Sequence, residues 1–327
     1  MKRVAIGVDI GGTNTAIGMV DDLGNVMVKD NIATPSHGNV DLYIEDLSLA
    51  INELIKSVKL VNPEIEILGI GIGAPNGNYY AGTIEYAANL AFKGIVPLVK
   101  LLKLKFPKLQ AIALTNDANA AAIGEMIYGG AKGMKNFVMY TLGTGVGSGI
   151  VVNGDLVYGS DGFAGECGHT TLIPGGRLCG CGALGHFEAY CSAPGMKRTA
   201  FELMVKYNAT DSLLADKSFN ELDSKMIFDA AERGDKVANE VFEQTGKWLG
   251  QGFADTAHHL SPEAIFLFGG PTAAGDYIFK PAKESMEQHL LTSFKNKIKI
   301  LPSQLKPGDA AIVGASALVY QELKKRE

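Results

Sequence analysis

A short motif near the start of the sequence, Asp9-Ile10-Gly11-Gly12-Thr13, has the composition of a phosphate-binding turn and lies between two apolar runs. Glycines let backbone N–H groups approach phosphate oxygens without a Cβ in the way. A carboxylate such as Asp9 can hold a hydrated magnesium ion, and the Thr13 hydroxyl can donate a hydrogen bond. An ordinary hairpin turn has a similar composition, so this motif alone leaves both interpretations open.

The same pattern recurs in the middle of the chain, at Gly143-Thr144-Gly145-Val146-Gly147, again between two apolar runs. The spacing from Thr13 to Gly18 equals the spacing from Thr144 to Gly149. We interpret the two motifs as an internal repeat, in which two lobes each present one phosphate-binding hairpin to a shared cleft. The second motif is not a dinucleotide fingerprint, because no helix follows it, and the P-loop pattern is absent.

A third motif, Asn116-Asp117, follows the apolar run at residues 111–114 and precedes a strongly helical stretch at 118–127. Backbone N–H groups and the helix dipole favour an ionised carboxylate at this position, so simple capping would explain an aspartate here. Ligands of α/β folds usually bind at the carboxyl ends of strands. We therefore predict that Asp117 is the base that takes a proton from an attacking hydroxyl.

Two histidines and two cysteines lie within eighteen positions of a glycine-rich segment: His169, Cys179, Cys181 and His186. Such a set suits tetrahedral zinc, whereas the alternative is a pair of reduced thiols beside two unrelated histidines. No general base for a metal-bound water is apparent, so the predicted role of the zinc is structural. Cys191 is an alternative fourth ligand, and Cys167 is expected to pack inside.

Length and composition limit the class of protein. The chain has 327 residues, which predicts two lobes, and its 46% hydrophobic content argues against disorder. The net charge of −5 with scattered Lys and Arg predicts no nucleic-acid partner. No apolar run is long enough to span a bilayer, and Asp9 interrupts the only N-terminal stretch that could start a signal peptide. With few cysteines, the sequence predicts a soluble cytoplasmic protein without a membrane partner.

Apolar periodicity predicts the elements that position these motifs. The predicted strands are residues 4–8, 15–20, 26–32, 65–72, 111–114, 137–142, 148–152, 264–268 and 297–301. The predicted helices cover residues 40–58, 98–104, 118–127, 237–257, 286–294 and 310–323, with a further helix that begins near residue 227 and ends at Gly234. Alternating strands and helices of this kind predict an α/β fold with a mixed sheet in the N-terminal part.

Taken together, the motifs make the chain similar to the ROK family (repressors, open reading frames and kinases), within the sugar kinase, actin and heat-shock ATPase superfamily. The resemblance covers nearly the whole length and implies an α/β, two-lobed actin-like ATPase (ribonuclease H-like) fold with an interlobe cleft. Residues 1–117 plus 308–327 would form the small N-terminal lobe with the first phosphate loop. Residues 118–307 would form the larger lobe with the second phosphate loop, the zinc loop and the adenosine side.

The resemblance also implies an activity, transfer of the ATP γ-phosphoryl group to the 6-hydroxyl of a hexose, with glucose as the commonest choice. ATP phosphates and Mg²⁺ would be held by Asp9, Gly11, Gly12, Thr13, Thr144 and Gly145, and the adenosine would adjoin Gly269 and Gly270. Sugar contacts would come from Asn89, Asn116, Asp117, Glu166, His169 and Glu188. One departure is that the family usually has a third Cys where His186 stands. Because water could also attack ATP, closure of the lobes over bound sugar is expected.

Several alternatives stay open at this point. The sugar could be N-acetylglucosamine, N-acetylmannosamine, fructose or mannose, and polyphosphate could replace ATP. A sugar-sensing repressor of this family would carry a helix-turn-helix module ahead of the first phosphate loop, and the start of that loop at Asp9 leaves no room for one. An inactive sugar sensor is disfavoured because Asp9, Thr13, Asp117 and Thr144 are all present. The expected partners are hexose and ATP, and the family suggests a homodimer.

Overall fold

The structure, a computed structural model, describes residues 2–36 and 38–325. Residues 1, 326 and 327, which the sequence analysis assigned to the ends of the small lobe, lie outside this range. Contacts between Cα atoms divide the chain into two compact units. The first consists of Met1–Met134, Asp155–Ala164 and Gln304–Glu327, and the second of Lys135–Gly154 and Gly165–Ser303. The predicted lobe boundary after residue 117 stays a prediction.

Thirteen strands are found in the described residues: β1 (Arg3–Ile10), β2 (Asn14–Asp21), β3 (Val26–Ala33), β4 (Glu66–Gly73), β5 (Gly77–Asn78), β6 (Thr83–Glu85), β7 (Ile95–Val96), β8 (Ala111–Thr115), β9 (Phe137–Leu142), β10 (Val146–Val152), β11 (Asp155–Leu156), β12 (Ala264–Phe268) and β13 (Lys299–Pro302). Nine α-helices accompany them in the same part of the chain: α1 (Val40–Val61), α2 (Leu98–Lys105), α3 (Asp117–Tyr128), α4 (Glu188–Cys191), α5 (Ala193–Tyr207), α6 (Ser224–Glu232), α7 (Lys236–Leu260), α8 (Asp276–His289) and α9 (Ala310–Lys324).

The first unit is built on a five-stranded mixed sheet with the order β3-β2-β1-β4-β8. Strand β1 is antiparallel to β2 and parallel to β4, and β4 is parallel to β8. In this register Asp9 is level with Gly73, and Gly73 is level with Thr115. The sheet therefore brings the carboxyl ends of three parallel strands to one edge, as the predicted mixed sheet requires.

Both faces of this sheet are covered by helices of the same unit. The apolar face of α1, which begins with Asn39 as its N-cap, belongs to the same buried cluster as the apolar residues of β1, β2 and β4. Helix α9 packs against β1, β4 and α3, and most of its residues from Ala310 to Val319 are small and buried. A helix of small residues can approach a sheet closely, so α9 fixes α3 against β1 and β4.

The second unit repeats the central part of this topology. Four of its strands lie in the order β10-β9-β12-β13, with β9 antiparallel to β10 and parallel to β12. Each unit thus contains a hairpin whose first strand has a parallel neighbour on its other side. The internal repeat predicted from the two glycine motifs is confirmed at the level of topology. Aromatic side chains such as Tyr140, Phe187 and Phe253 pack together in its interior.

Three helices differ from the sequence prediction, and one of them is the short α4, which was not predicted. A helix was expected at residues 286–294, but α8 begins ten residues earlier, at Asp276, and ends at His289. Pro281 lies inside α8, and its ring packs close to Gly246 of α7. Helix α5 was not predicted at all, since Pro194 and Gly195 at its start resemble a loop signal.

Within the part of the chain that the structure describes, no helix combines the length and the apolarity that crossing a bilayer would need.

Candidate functional site

The turn between β1 and β2 presents exposed backbone. The N–H of Gly11 donates to the carbonyl of Asn14 at 3.0 Å, which closes the turn. Gly12 and Thr13 are exposed, and a Cβ at Gly12 would lie only 2.7 Å from the carbonyl oxygen of Asn89. The predicted sugar contact Asn89 therefore lies directly beside the first phosphate turn. Asn89 is exposed, so its side chain is available to a ligand.

A buried network of three hydroxyl groups lies next to this turn. The Thr15 hydroxyl lies 2.8 Å from the hydroxyl of Thr34 and 2.7 Å from that of Tyr43. The Thr13 carbonyl accepts a hydrogen bond from the Thr34 N–H at 2.9 Å. These bonds join β2, the end of β3 and α1, so the fold itself holds the backbone of Thr13.

Two carboxylates meet at the edge of the first sheet. Asp9 ends β1 level with Gly73, and Asp117 follows the strand that pairs with β4 on its other side. A Cβ at Gly73 would lie 3.6 Å from the Cα of Asp117 and 3.8 Å from Oδ1 of Asp9. Burial, and secondly the charge of Asp117, raise the pKa of Asp9 to about 6. The two groups therefore form one electrostatically linked pair.

Asp117 lies at the first position of α3, after Asn116 as the N-cap. The Ala118 N–H donates to Oδ1 of Asn116 at 2.8 Å and to Oδ1 of Asp117 at 2.7 Å. Desolvation raises the pKa of Asp117, and the Ala118 hydrogen bond opposes that rise. Although many protein atoms surround Asp117, the residue is exposed to solvent, so its carboxylate is accessible to a substrate hydroxyl.

The turn between β9 and β10 forms the corresponding feature of the second unit. The Gly143 N–H donates to the Gly145 carbonyl at 3.0 Å, and Thr144 is exposed at the tip. Oε2 of Glu188 accepts a hydrogen bond from the Val146 N–H at 3.1 Å. A Cβ at Gly145 would overlap that same carboxylate oxygen. A side chain at this position would therefore displace the Glu188 carboxylate from its hydrogen bond to Val146, whether or not phosphate binds there.

The segment that carries Glu166 and His169 is held against β10. The Ser148 hydroxyl donates to the Gly165 carbonyl and accepts from the Cys167 N–H at 3.1 Å. A short 3-10 turn, Cys167–His169, leaves both Glu166 and His169 exposed. Cys167 is half-buried, in line with the expectation that it packs inside.

The predicted metal ligands of the second unit converge. One ligand atom from each of His169, Cys179, Cys181 and His186 lies within 4.8 Å of the others. The Cys179 sulfur is 3.8 Å from Nδ1 of His169, and the Cys181 sulfur is 3.2 Å from Nδ1 of His186. Tetrahedral zinc with ordinary bond lengths places neighbouring ligand atoms about 3.3–3.8 Å apart. The residues therefore fit a zinc ion, and Cys191 is not part of this group.

The loop that holds these ligands is fixed to the rest of the second unit by the side chain of Arg177. Arg177 donates to the carbonyls of Ala189 and Gly195, to the Thr199 hydroxyl and to the carboxylate of Glu202. Residues 177–185 form a hairpin within this loop. It is closed by hydrogen bonds from the Gly185 N–H to the Arg177 carbonyl and from the Cys179 N–H to the Ala183 carbonyl. Sequence reasoning missed Arg177, because its partners lie 12 to 25 residues away.

The residues predicted to adjoin adenosine follow β12. Gly269 has φ 117°, a conformation that disfavours any side chain, and a Cβ there would overlap the Leu142 carbonyl at the end of β9. Gly270 is exposed and begins a 3-10 turn. The strand that carries the second phosphate turn and the Gly269-Gly270 pair are therefore neighbours in the second unit.

Each unit thus contains its own group of residues with recognisable chemistry. The first offers an open glycine turn and two carboxylates with raised pKa values. The second offers another open glycine turn, a carboxylate hydrogen-bonded to that turn, and a Cys₂His₂ cluster. The sequence missed two features of this arrangement: Gly73, which lies between Asp9 and Asp117, and the link from Glu188 to Val146. Neither leaves a local signal, since both depend on which strands pair.

Comparison with known proteins places the chain in a family. The glucokinase of Halalkalibacterium halodurans is 34% identical over 327 residues, which cover 99% of this chain and 97% of that protein. A crystal structure of a ROK family glucokinase from Streptomyces griseus in complex with glucose and AMPPNP is 32% identical, with a TM-score of 0.80, and the match covers 97% of this chain and 99% of that one.

Relatives of another kind share the same region. The xylose repressor of Caldicellulosiruptor bescii is 27% identical over 323 residues, which cover 97% of this chain and 78% of that protein. The structural match confirms the two-lobed actin-like fold that the sequence motifs predicted. The sequence pattern of the ROK family itself matches residues 5–322. The chain therefore belongs to the ROK family.

Proposed function

We propose that the protein is an ATP-dependent hexose kinase that transfers the γ-phosphoryl group to the 6-hydroxyl of glucose. The observation that carries the proposal is the pair of carboxylates at the edge of the first sheet, with Asp117 accessible and the pKa of Asp9 raised to about 6. Relatives named glucokinase match along nearly the whole chain, which supports glucose as the acceptor.

Asp117 is the proposed general base. Its Oδ1 is engaged by the Ala118 N–H, so Oδ2 is the oxygen that receives the proton of the attacking hydroxyl. Desolvation raises its pKa, which makes the carboxylate a stronger base than an aspartate in water, while the Ala118 N–H at the helix start favours the ionised form. General-base catalysis of this kind is typically worth about 10²–10⁴ in rate.

The two glycine turns are the proposed phosphate contacts, both on one nucleotide. The exposed backbone of Gly12 and the Thr13 hydroxyl, with Gly11 beside them, would hold the γ-phosphate side, and Thr144 with Gly145 the β side. Gly269 and Gly270 would adjoin the adenosine. Phosphoryl transfer needs mainly alignment and charge neutralisation, and preformed turns of this kind provide the alignment.

Asp9 fits a role as the protein contact to a magnesium ion. The raised pKa of Asp9 comes from burial and from the neighbouring Asp117 charge, both of which a divalent cation would offset. Mg²⁺ in phosphoryl-transfer enzymes is commonly held by one or two carboxylates together with substrate phosphates. Its chemistry when bound would be to neutralise the charge that develops on the phosphoryl oxygens.

The Cys₂His₂ cluster fits a structural zinc ion held by His169, Cys179, Cys181 and His186. Burial raises the pKa of the Cys179 thiol to about 11, so binding of the metal must release its proton. A structural zinc contributes on the order of 10 kcal/mol to folding, which is enough to order a glycine-rich loop. The ordered loop would then position Glu166 and Glu188, together with the ring of His169, against the sugar.

The remaining sugar contacts are proposed from the family resemblance and from exposure. Asn89 and Glu166 are exposed, and Asn116 is half-buried with its Oδ1 engaged in capping α3. The room around the sugar's 2-substituent is expected to depend on residues 77–81 and 158–163. These segments are joined within the first unit, because the Asn78 amide donates to the Asp161 carbonyl at 2.8 Å and Tyr79 stacks on Tyr158.

A coupled kinase assay tests the proposal. The substrates are glucose, mannose, fructose, galactose, N-acetylglucosamine and N-acetylmannosamine, each with ATP and with polyphosphate. We expect the largest kcat/KM for glucose with ATP, and phosphorus NMR of the product should show the phosphate on oxygen 6. If an N-acetylhexosamine is turned over faster than glucose, the proposed substrate is wrong and the N-acetylhexosamine takes its place. If no sugar is turned over, the kinase proposal is refuted.

The sugar-sensing repressor remains the second hypothesis, since a xylose repressor matches 97% of the chain. A repressor would bind sugar without consuming ATP, so the same assay separates the two. The homodimer and the cytoplasmic location stay predictions, and sedimentation velocity of the purified protein would test the first of them. The lobe division at residue 117 is proposed only from the resemblance.

A further inference from the structure

We propose that Glu125 is a positioning residue, which ties the helix that carries Asp117 to the first and the last of the chain segments that pass between the two units. The inference rests on the proposed function, because positioning of this helix matters for catalysis only if Asp117 acts on the substrate. No role was predicted for Glu125 from the sequence.

The carboxylate of Glu125 is fully buried in α3. Its Oε1 accepts one hydrogen bond from the Gly130 N–H at 2.6 Å and another from the Gln304 N–H at 3.0 Å. Gly130 and Gln304 are far apart in sequence, so a single oxygen joins two distant segments. All three residues belong to the first unit.

The same residue also organises the end of its helix. The Glu125 carbonyl accepts hydrogen bonds from the Gly129 N–H at 3.0 Å and from the Ala131 N–H at 3.2 Å. With the bond to Gly130, three successive N–H groups after α3 therefore end on Glu125. The path of the chain from residue 129 to 131 is fixed by this one side chain and its backbone.

The two segments lie at the first and the last of the four places where the chain passes between units. The first stretch of the first unit ends at Met134, four residues after Gly130, and the chain returns to this unit for the last time at Gln304. Glu125 thus contacts one segment just before it leaves the first unit and the other at the residue where it returns.

Simple helix capping does not require this residue. A carboxylate in the last turn of a helix faces the negative end of the helix dipole, and burial of a charge is costly unless hydrogen bonds satisfy it. A glycine or asparagine would end the helix without either cost. Glu125 therefore breaks a local rule at a fully buried position, and it does so while accepting hydrogen bonds from the crossing segments, which indicates a specific requirement.

The consequence is mechanical coupling along α3. Asp117 and Glu125 are eight residues apart in one helix, a distance of about 12 Å. A change in the direction of either crossing segment is transmitted through Glu125 to this helix, and hence to the catalytic carboxylate. The expected closure over sugar would in this way be coupled to the placement of Asp117.

The test compares Glu125→Gln with Asp21→Asn in the full-length protein. Asp21 is also a buried carboxylate that accepts two backbone N–H bonds, from Leu23 at 3.1 Å and Asn25 at 2.8 Å. It differs in its place, because it ends β2, and in its ion pair with Lys2. Steady-state kinetics with glucose and ATP are measured for both variants. Small-angle X-ray scattering then follows the decrease in radius of gyration on addition of glucose and AMPPNP.

We expect the two variants to lose similar thermal stability, while only Glu125→Gln loses function. Its kcat should fall about tenfold, and its ligand-induced compaction should fall to less than half of the wild-type value. Equal effects of the two variants on kcat and compaction, or no effect of Glu125→Gln, would overturn the proposal. Wild-type turnover of glucose in the same series decides the proposed function separately.

Amide hydrogen exchange of the wild-type protein keeps the proposal testable if Glu125→Gln does not fold. Because both N–H groups end on one oxygen, glucose and AMPPNP should slow exchange at Gly130 and Gln304 together, by a similar factor. Slowing at only one of the two amides, or at neither, would contradict the coupling.

Discussion

Asp9 and Asp117 lie on either side of the end of strand β4, and the charge of Asp117 contributes to raising the pKa of Asp9. Paired carboxylates with raised pKa values are typical of sites where one group holds a cation and the other moves a proton. The arrangement follows from the sheet, because β1 and β4 are parallel and both end at the same edge.

The pH dependence of turnover should report this pair. Both carboxylates must be ionised for catalysis, so kcat/KM for MgATP should fall as the pH is lowered. Because kcat/KM reflects the free enzyme, we expect the midpoint of the acid limb near pH 6, well above the ordinary aspartate value of 3.8. The measured value belongs to the pair and not to one residue. A profile that stays flat down to pH 4.5 would contradict this assignment.

Asp9→Asn should stabilise the protein in a pH-dependent way. A carboxyl group whose pKa rises from 3.8 to about 6 on folding destabilises the folded state when it is ionised. Below pH 3.8 the group is protonated in both states, so the variant gains nothing there. The gain develops between pH 4 and 6 and reaches about 1–3 kcal/mol above pH 6.

The check is urea denaturation of the two proteins at pH 4 and pH 8, without nucleotide or magnesium. Asp46→Asn, at an exposed position of α1, is the matched control and should change stability little at either pH. An equal gain from Asp9→Asn at both pH values would show that burial of this carboxyl is not the cause.

The zinc assignment predicts which substitutions release the metal. His186→Ala and Cys181→Ser each remove one of four ligands and should lose the bound zinc and raise KM for glucose at least tenfold, because the loop then fails to position Glu188. Cys191→Ala should retain about one zinc per chain, since Cys191 is buried outside the cluster. Atomic absorption of dialysed protein measures the zinc content. If Cys191→Ala loses zinc while His186→Ala retains it, Cys191 and not His186 is the fourth ligand.

Gly145→Ala should destabilise the second unit. The new Cβ would overlap Oε2 of Glu188 and break its hydrogen bond to the Val146 N–H, at a cost of roughly 1–3 kcal/mol. Gly143→Ala in the same turn is the control, since a Cβ there meets no neighbouring atom within 4 Å. Thermal melting should show a lower Tm for Gly145→Ala only; equal Tm values would mean that Glu188 moves aside freely.

Local patterns allowed much of the fold to be predicted. Strands and helices with clear apolar periodicity, such as α1 and α7, were found close to their observed bounds. The glycine turns and the Cys₂His₂ set were also found, because their members are near one another in sequence. The start of helix α8 was misplaced, because a proline such as Pro281 ordinarily ends or kinks a helix, whereas here the helix runs from Asp276 to His289.

Long-range relationships could not be predicted in the same way. The proximity of Asp9 to Asp117 depends on the strand order β1-β4-β8 in the sheet, and no local sequence pattern predicts that order. The hydrogen bond from Val146 to Glu188 joins residues 42 positions apart. The bond from Gln304 to Glu125 spans 179 positions. Each of these features is fixed by strand pairing or helix packing, and the residue types involved are common elsewhere in the chain.

The most direct test of the central claim is Asp117→Asn. Its side-chain oxygen can still accept the Ala118 N–H, so α3 should keep its cap and the protein its stability. Glucose binding by calorimetry should stay within about threefold of the wild type, while kcat falls about 10²–10⁴-fold with ATP as donor. Near-normal kcat with unchanged glucose affinity would show that Asp117 is not the base and would contradict the account.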